Sequence, residues 1–217
     1  MTSLKWKICG MRDPDNIARV AGLKPDLMGF IFYKKSPRYV AQWPPEGLEL
    51  EEKTEVVGVF VNPDIQEIEE RHDQKSFQWV QLHGNESPGF CQIIKDKNIG
   101  VIKAFGVDDS FDFSQLKPYL ETVDLFLFDT KSPHHGGTGK KFDWMLLKQY
   151  SYKKPFLISG GIGPGDQEAL ETLFDSDLPV YGIDINSRFE SSPGIKNTHL
   201  IQSFIESVKS VNYESRS

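Results

Sequence analysis

The chain is poor in cysteine, holding only Cys9 and Cys91. Two thiols on what read as separate elements cannot form a disulfide scaffold, so a reduced, cytoplasmic setting is expected. Long hydrophobic runs are missing too. Nothing approaches the ~20 apolar residues of a membrane span, and Met1-Thr2-Ser3-Leu4 lacks the charged-then-apolar layout of a signal peptide. Positive charge is in deficit, with 25 Lys and Arg against 31 Asp and Glu. That balance argues against nucleic acid as the main partner, yet leaves room for a small basic patch that binds a phosphorylated metabolite. No linker, low-complexity tract or composition break divides the chain. Residues 1–217 are therefore expected to form one domain with short flexible termini, as a monomer or a homodimer.

What recurs is a short apolar strand, a polar or Gly-rich turn, and a helical stretch. The spacing predicts strands over Lys5–Cys9, Leu27–Phe32, Glu55–Phe60, Trp79–Leu82, Val101–Phe105, Val123–Asp129, Phe156–Ser159 and Val180–Ile185. Helix starts are marked by Asp13-Pro14, by Asn62-Pro63-Asp64, by Ser87-Pro88 and by Gly165 or Asp166, with a last helix over His199–Val211. The stretch after the second strand, with Pro37, Pro44, Pro45 and Gly47, gives the weakest helix signal. Strands alternating with helices imply parallel strands joined by crossovers. Spread over eight units, 217 residues give about 27 each, which fits an α/β fold of the (β/α)₈ TIM-barrel type. An open doubly wound sheet is the alternative. It would carry a G-x-G-x-x-G turn after the first strand, where Cys9-Gly10-Met11-Arg12-Asp13 stands instead.

In such a barrel chemistry gathers at the carboxyl ends of the strands. Those ends read Cys9, Ser36-Pro37-Arg38, Asn62, His83, Phe105, Asp129, Ser159-Gly160-Gly161 and Asp184-Ile185-Asn186-Ser187. The two-residue period puts Lys7 and Cys9 on one face, and a nearby ammonium favours a thiolate. Cys91, within Phe90-Cys91-Gln92-Ile93-Ile94, reads as core. Asp129 closes the apolar run Leu125-Phe126-Leu127-Phe128 and is either a turn residue or an acid. The polar, Gly-rich stretch from Lys131 to Gly139 reads as a lid. Its adjacent His134 and His135 do not converge on one ion and no third ligand is evident, so no metal site is expected. Gly160 and Gly161 after the seventh strand, with Asn186 and Ser187 after the eighth, suggest a phosphate cradle, because glycine lets backbone N–H groups approach an anion.

These motifs, in this order along nearly the whole chain, resemble the phosphoribosylanthranilate isomerases of tryptophan biosynthesis. The segments are Lys7-Ile8-Cys9-Gly10, Gly29-Phe30-Ile31-Phe32 through Ser36-Pro37-Arg38, Val57-Gly58-Val59-Phe60-Val61-Asn62, Val80-Gln81-Leu82-His83-Gly84, Asp129, Gly136-Gly137-Thr138-Gly139, Ser159-Gly160-Gly161 and Pro193-Gly194-Ile195-Lys196. The resemblance implies an Amadori rearrangement of N-(5-phosphoribosyl)anthranilate with no metal or organic cofactor. It implies Cys9 as general base and Asp129 as general acid, Arg38 facing the anthranilate carboxylate, and the Gly160-Gly161 and Asn186-Ser187 loops on the phosphate. His83 is expected to line the pocket or orient a loop. One departure stands out: Arg188-Phe189-Glu190 follows Ser187 where the family has glycine and valine before glutamate. Arg188 can still donate its backbone N–H if its φ is not positive.

The reaction asks for a protonated Asp129 and an ionised Cys9 near neutrality, against reference values of ~3.9 and ~8.5. Two other readings compete. A different phosphosugar barrel enzyme would present paired aspartates at the first and fifth strands or catalytic lysines at strand ends, and Lys103 alone is a poor candidate. A non-catalytic phosphate-ligand sensor would have no use for Cys9 and Asp129.

Overall fold

The computed structural model describes residues 4–46, 48, 50, 53–131 and 141–214. Residues 1–3 and 215–217, at the termini expected to be flexible, and most of the expected lid, including His134, His135 and Gly136-Gly137-Thr138-Gly139, lie outside the described residues. Eight parallel strands close into a barrel in sequence order: β1 Lys5–Cys9, β2 Leu27–Ile31, β3 Glu55–Phe60, β4 Trp79–Leu82, β5 Gly100–Val107, β6 Leu125–Thr130, β7 Phe156–Ile158 and β8 Val180–Ile185. Closure comes from β1 against β8, where Lys7 pairs in register with Asp184. Because all eight strands run the same way, their carboxyl ends share one mouth. A short antiparallel hairpin follows, β9 Glu190–Ser192 and β10 Ile195–Lys196.

Side-chain alternation divides the interior in two. One face of the strands fills the lumen with Cys9, Leu27, Val59, Ile102, Leu127 and Leu157. The other packs outward against the crossovers and carries most of the aromatics, such as Phe126, Phe128 and Phe156 around Tyr150. Each large side chain buried this way stabilises the barrel by ~1.5–3 kcal/mol. Continuing the alternation aims Lys7, Gln81, Asp129 and Asp184 into the lumen.

Helices start where the turn residues placed them. Asp13 caps α1 (Pro14–Ala21) by accepting from Asn16 N–H at 2.8 Å, and Asp64 caps α2 (Ile65–Gln74) from Glu67 N–H at 2.8 Å. Ser87 caps α3 (Pro88–Lys95) from Phe90 N–H at 3.2 Å. Asp166 occupies the cap position of α4 (Gln167–Phe174), its carbonyl accepting the Leu170 N–H at 3.0 Å but its side chain making no bond to the helix. Its carboxylate instead accepts the Gly163 N–H at 2.7 Å and meets Lys141. The last helix, α5, runs Thr198–Glu214. Three crossovers depart from the pattern. After β5 and β6 the chain forms 3₁₀ segments, Phe113–Tyr119 and Trp144–Gln149, the first containing Pro118, which has no N–H to continue an α-helix. After β2 the described residues form turns and no helix, and Trp43 covers the strand in its place, its ring 5.0 Å from Phe30 and 5.2 Å from Phe32.

Candidate active site

β1 delivers Cys9 to the mouth with its side chain buried in the lumen cluster. Gly29 on β2 lies directly alongside: a Cβ there would sit 2.9 Å from the Cys9 Sγ, so only glycine leaves the thiol its room. Two residues below, the Lys7 ammonium donates to Asp184 Oδ1 at 2.9 Å, and Ser159 Oγ lies 3.3 Å from Asp184 Oδ2. Burial opposes the charge on Lys7, but Asp184 and Cys9 outweigh it and hold the ammonium above its ordinary value. For Cys9 the order reverses. Burial pushes the thiol up, Lys7 pulls it down, Asp184 pushes it further up, and the net direction is upward. Lys7 does favour the thiolate, as its place on the same face led one to expect, but desolvation together with Asp184 outweighs that pull.

Asp129 enters from β6, on the lumen face with Leu125 and Leu127. Its Oδ1 accepts the Thr130 N–H at 2.8 Å, and its Oδ2 lies 3.3 Å from Nε2 of His83. His83 at the end of β4 is in turn 2.9 Å through Nδ1 from the Gln81 side-chain nitrogen. The expected pocket-lining histidine therefore stands within ion-pair reach of the expected acid. Beside them opens a cavity of about 500 Å³ walled by Phe105, Phe111, Tyr119, Lys103 and Lys131. Lys103 points away from the lumen and is buried against Glu86 at 3.1 Å, donating also to the Gly84 carbonyl at 2.8 Å. Burial lowers the Lys103 ammonium against the pull of Glu86. Glu86 accepts the Asn62 and Gly84 N–H groups, so this pair fixes the loop that carries His83.

The turn after β7 approaches Asp129 from the other side. Gly160 and Gly161 have φ of +85° and +71°, and a Cβ on Gly160 would lie 2.5 Å from Thr130 Oγ1 and 3.2 Å from Asp129 Oδ1. Glycine is required there by both backbone and space. After β8, Asn186 leads into the 3₁₀ turn Ser187–Phe189. Arg188 does not take a positive φ, and its side-chain stem lies over Gly163 of the neighbouring loop.

Arg38 is held rather than free. Its Nε and Nη2 form a fork on Glu190, with distances of 2.9, 3.1 and 2.6 Å. Glu190 Oε1 also takes the Lys196 ammonium at 2.5 Å, and Lys196 reaches Asn186 Oδ1 at 2.7 Å. The β9–β10 hairpin that brings these residues in is pinned to α1 by Asn16, whose amide pairs with both backbone groups of Lys196. Burial pushes the Glu190 carboxyl up, but Arg38 and Lys196 outweigh it and hold it below its ordinary value. Burial brings Lys196 down to about 8. Sequence reading missed Gln81, Asp184, Glu190 and Lys196 as site residues. Asp184 was visible as a strand end and Lys196 as part of Pro193-Gly194-Ile195-Lys196, but nothing local says that the hairpin folds back onto Arg38.

A model of the N-(5'-phosphoribosyl)anthranilate (PRA) isomerase family matches residues 6–207. The chain belongs to the N-(5'-phosphoribosyl)anthranilate isomerase family. Among its relatives in this isomerase family, the Parabacteroides distasonis N-(5'-phosphoribosyl)anthranilate isomerase is 40% identical over 93% of this chain and 92% of its own. The crystal structure of phosphoribosyl anthranilate isomerase from Thermotoga maritima superposes with a TM-score of 0.81 at 33% identity, covering 96% of this chain and all 100% of that one. A phosphoribosyl anthranilate isomerase solved in complex with reduced 1-(o-carboxyphenylamino)-1-deoxyribulose 5-phosphate gives 0.79 at 30% identity over the same shares. Family membership and the (β/α)₈ barrel therefore agree with what the motif order implied.

Proposed function

We propose that this protein converts N-(5-phosphoribosyl)anthranilate to 1-(2-carboxyphenylamino)-1-deoxyribulose 5-phosphate in tryptophan biosynthesis, with Cys9 as general base and Asp129 as general acid. Asp129 protonates the furanose ring oxygen and the ring opens to a Schiff base. Cys9 then takes the C2′ proton, and the resulting enolamine ketonises. The observation that carries this reading is a thiol on β1 and a carboxyl on β6 that share the lumen face and the same mouth, beside the Gly160 turn. Acid and base typically contribute ~10²–10⁴ each. Together they lower the barrier by roughly 5–11 kcal/mol, and anchoring of the two ends of the substrate supplies much of the rest.

Phosphate recognition is assigned to the backbone of Gly160 and Gly161 and to the turn Asn186-Ser187-Arg188. Arg38 is assigned to the anthranilate carboxylate. Glu190 occupies Nε and Nη2, so Nη1 is the nitrogen left to meet the ligand, and the fork on Glu190 fixes where it points. All these groups come from one chain, so the assignment holds for a monomer or a homodimer. Two buried free thiols fit a cytoplasmic enzyme, and no helix among the described residues is long and apolar enough to cross a membrane.

The test is loss of substrate fluorescence on turnover, measured for wild type, Cys9→Ser and Asp129→Asn. Wild type is expected to give a bell-shaped pH profile. Each variant is expected to lose ~10²–10⁴ in kcat, and the rising limb is expected to vanish in Cys9→Ser. A wild type that binds a product analogue yet leaves the substrate unchanged would make this a sensor, and wild-type turnover in Cys9→Ser would remove the thiol from the mechanism.

A further inference from the structure

The site contains one buried polar atom without a partner. Gln81 is on the lumen face of β4, almost wholly buried, and its Oε1 has no hydrogen-bond donor among the described residues. Its amide nitrogen, by contrast, is 2.9 Å from Nδ1 of His83, and Nε2 of the same ring is 3.3 Å from Asp129 Oδ2. Buried amide oxygens are rarely left empty, so a second arrangement in which this one is used is worth constructing.

The proton bookkeeping has two forms. In the proton-poor form Asp129 is a carboxylate, the Nε2–H of His83 donates to Oδ2, and the Gln81 NH₂ donates to the Nδ1 lone pair. In the proton-rich form Asp129 carries the proton it must deliver to the ring oxygen. Its other oxygen is committed to the Thr130 N–H at 2.8 Å, so the new O–H is on the side of His83 and donates to Nε2. The imidazole proton then resides on Nδ1 and needs an acceptor where the Gln81 NH₂ stood. A half-turn about the last Gln81 torsion exchanges nitrogen for oxygen with almost no movement of atoms, and Oε1 becomes that acceptor. One proton has been taken up from solvent and none is lost elsewhere. The same half-turn is required if the added proton resides on His83, because both ring nitrogens then donate.

We propose that Gln81 is a positioning residue for the general acid: by turning its amide over, it lets the His83–Asp129 pair gain and surrender one proton without leaving a ring N–H unpaired in the lumen. This rests on the isomerase reading of Asp129. The other charged and titratable groups facing the trio are mostly occupied. Lys7 and Asp184 pair across β1 and β8, Lys103 pairs with Glu86, and Lys131 pairs with Asp108 at the rim. Asp112 is taken by Ser114, and the Tyr119 hydroxyl donates to the Glu86 carbonyl. Cys9 faces the same lumen and is the base of the same reaction.

The experiment combines the pH profile of kcat with imidazole ¹⁵N shifts of His83 in the full chain. In wild type, the ring proton of His83 is expected on Nε2 in the proton-poor form of the pair and on Nδ1 in the proton-rich form. Gln81→Met removes donor and acceptor at similar volume. It is expected to lower kcat about fivefold to tenfold, to leave KM within about twofold, and to move the alkaline limb to lower pH. Gln81→Glu, which supplies a permanent acceptor, is expected to move that limb to higher pH. One tautomer in both forms, or a limb unmoved in both variants, overturns the proposal. A wild type without turnover overturns the isomerase reading instead. The His83 shifts are read without substrate, so they would still decide the role of Gln81.

Discussion

Replacing Glu190 by glutamine removes one negative charge from between two buried cations. Arg38 is 8% exposed and Lys196 3% exposed, and among the described residues both take their carboxylate contacts from Glu190 alone. Breaking a buried pair by deleting one partner typically costs ~3–5 kcal/mol. Glutamine keeps one acceptor oxygen and Lys196 keeps Asn186, so the lower end, about 3 kcal/mol, is expected. With a urea dependence of roughly 3 kcal/mol/M for a chain of this size, the unfolding midpoint falls by about 1 M. The pH dependence adds a second signature. The Glu190 carboxyl is held below its ordinary value, so its contribution is complete above the unfolded value of ~4.3 and is lost as pH falls through the lower folded value. Lys196 has the opposite sign. Its value of about 8 lies below the ordinary 10.5, so the fold is penalised while it is charged and is relieved as pH rises past that value. Wild type and Glu190→Gln are therefore expected to differ most between about pH 5 and 8, to converge as pH falls and Glu190 is protonated, and to keep a smaller gap above pH 8, where Arg38 still holds its fork on Glu190. Urea unfolding at about pH 6.5 and 9 reads this directly. A gap below about 1 kcal/mol at pH 6.5, or one that widens at pH 9, refutes the clamp.

Three further predictions follow from contacts around the reacting groups. Lys7→Met deletes the ammonium that opposes the burial of Cys9 and leaves Asp184 with Ser159, so the rising limb of the kcat profile is expected to move to higher pH. Gly29→Ala drives a methyl to 2.9 Å from the Cys9 Sγ and 3.2 Å from its Cα, and kcat is expected to fall by ~10² as the thiol is displaced, with the barrel still folded by circular dichroism. Gly160→Ala meets both a φ of +85° and the Thr130 backbone nitrogen at 2.7 Å, and inhibition by inorganic phosphate is expected to weaken at least tenfold if the turn after β7 binds phosphate.

Much of the barrel was legible along the chain. The strands Lys5–Cys9, Glu55–Phe60, Trp79–Leu82 and Val180–Ile185 have the ends expected of them, because apolar runs there stop at residues that favour turns. Others moved by one or two residues: β2 stops at Ile31, β5 extends over Gly100–Val107, β6 runs Leu125–Thr130 and β7 stops at Ile158. Asp13, Asp64 and Ser87 cap helices because a short acceptor side chain followed by Pro or an apolar-periodic stretch has few other uses. The crossover after β2 was harder to read, since Trp43 does the covering that a helix does elsewhere, and a single ring leaves no periodic trace.

Period-two alternation and strand ends were enough, without coordinates, to put Cys9 with Lys7 and to bring Asp129 to the edge of an apolar run. They could not settle charge or aim. The partner of Lys7 is 177 residues away in Asp184, and that of Arg38 is 152 residues away in Glu190. Those long-range contacts, made only when β8 closes on β1 and the hairpin folds back, decide that burial dominates at the thiol and that Arg38 is a fixed fork. Local sequence selects which side chains reach the mouth, whereas desolvation and pairing depend on neighbours that only the closed barrel supplies.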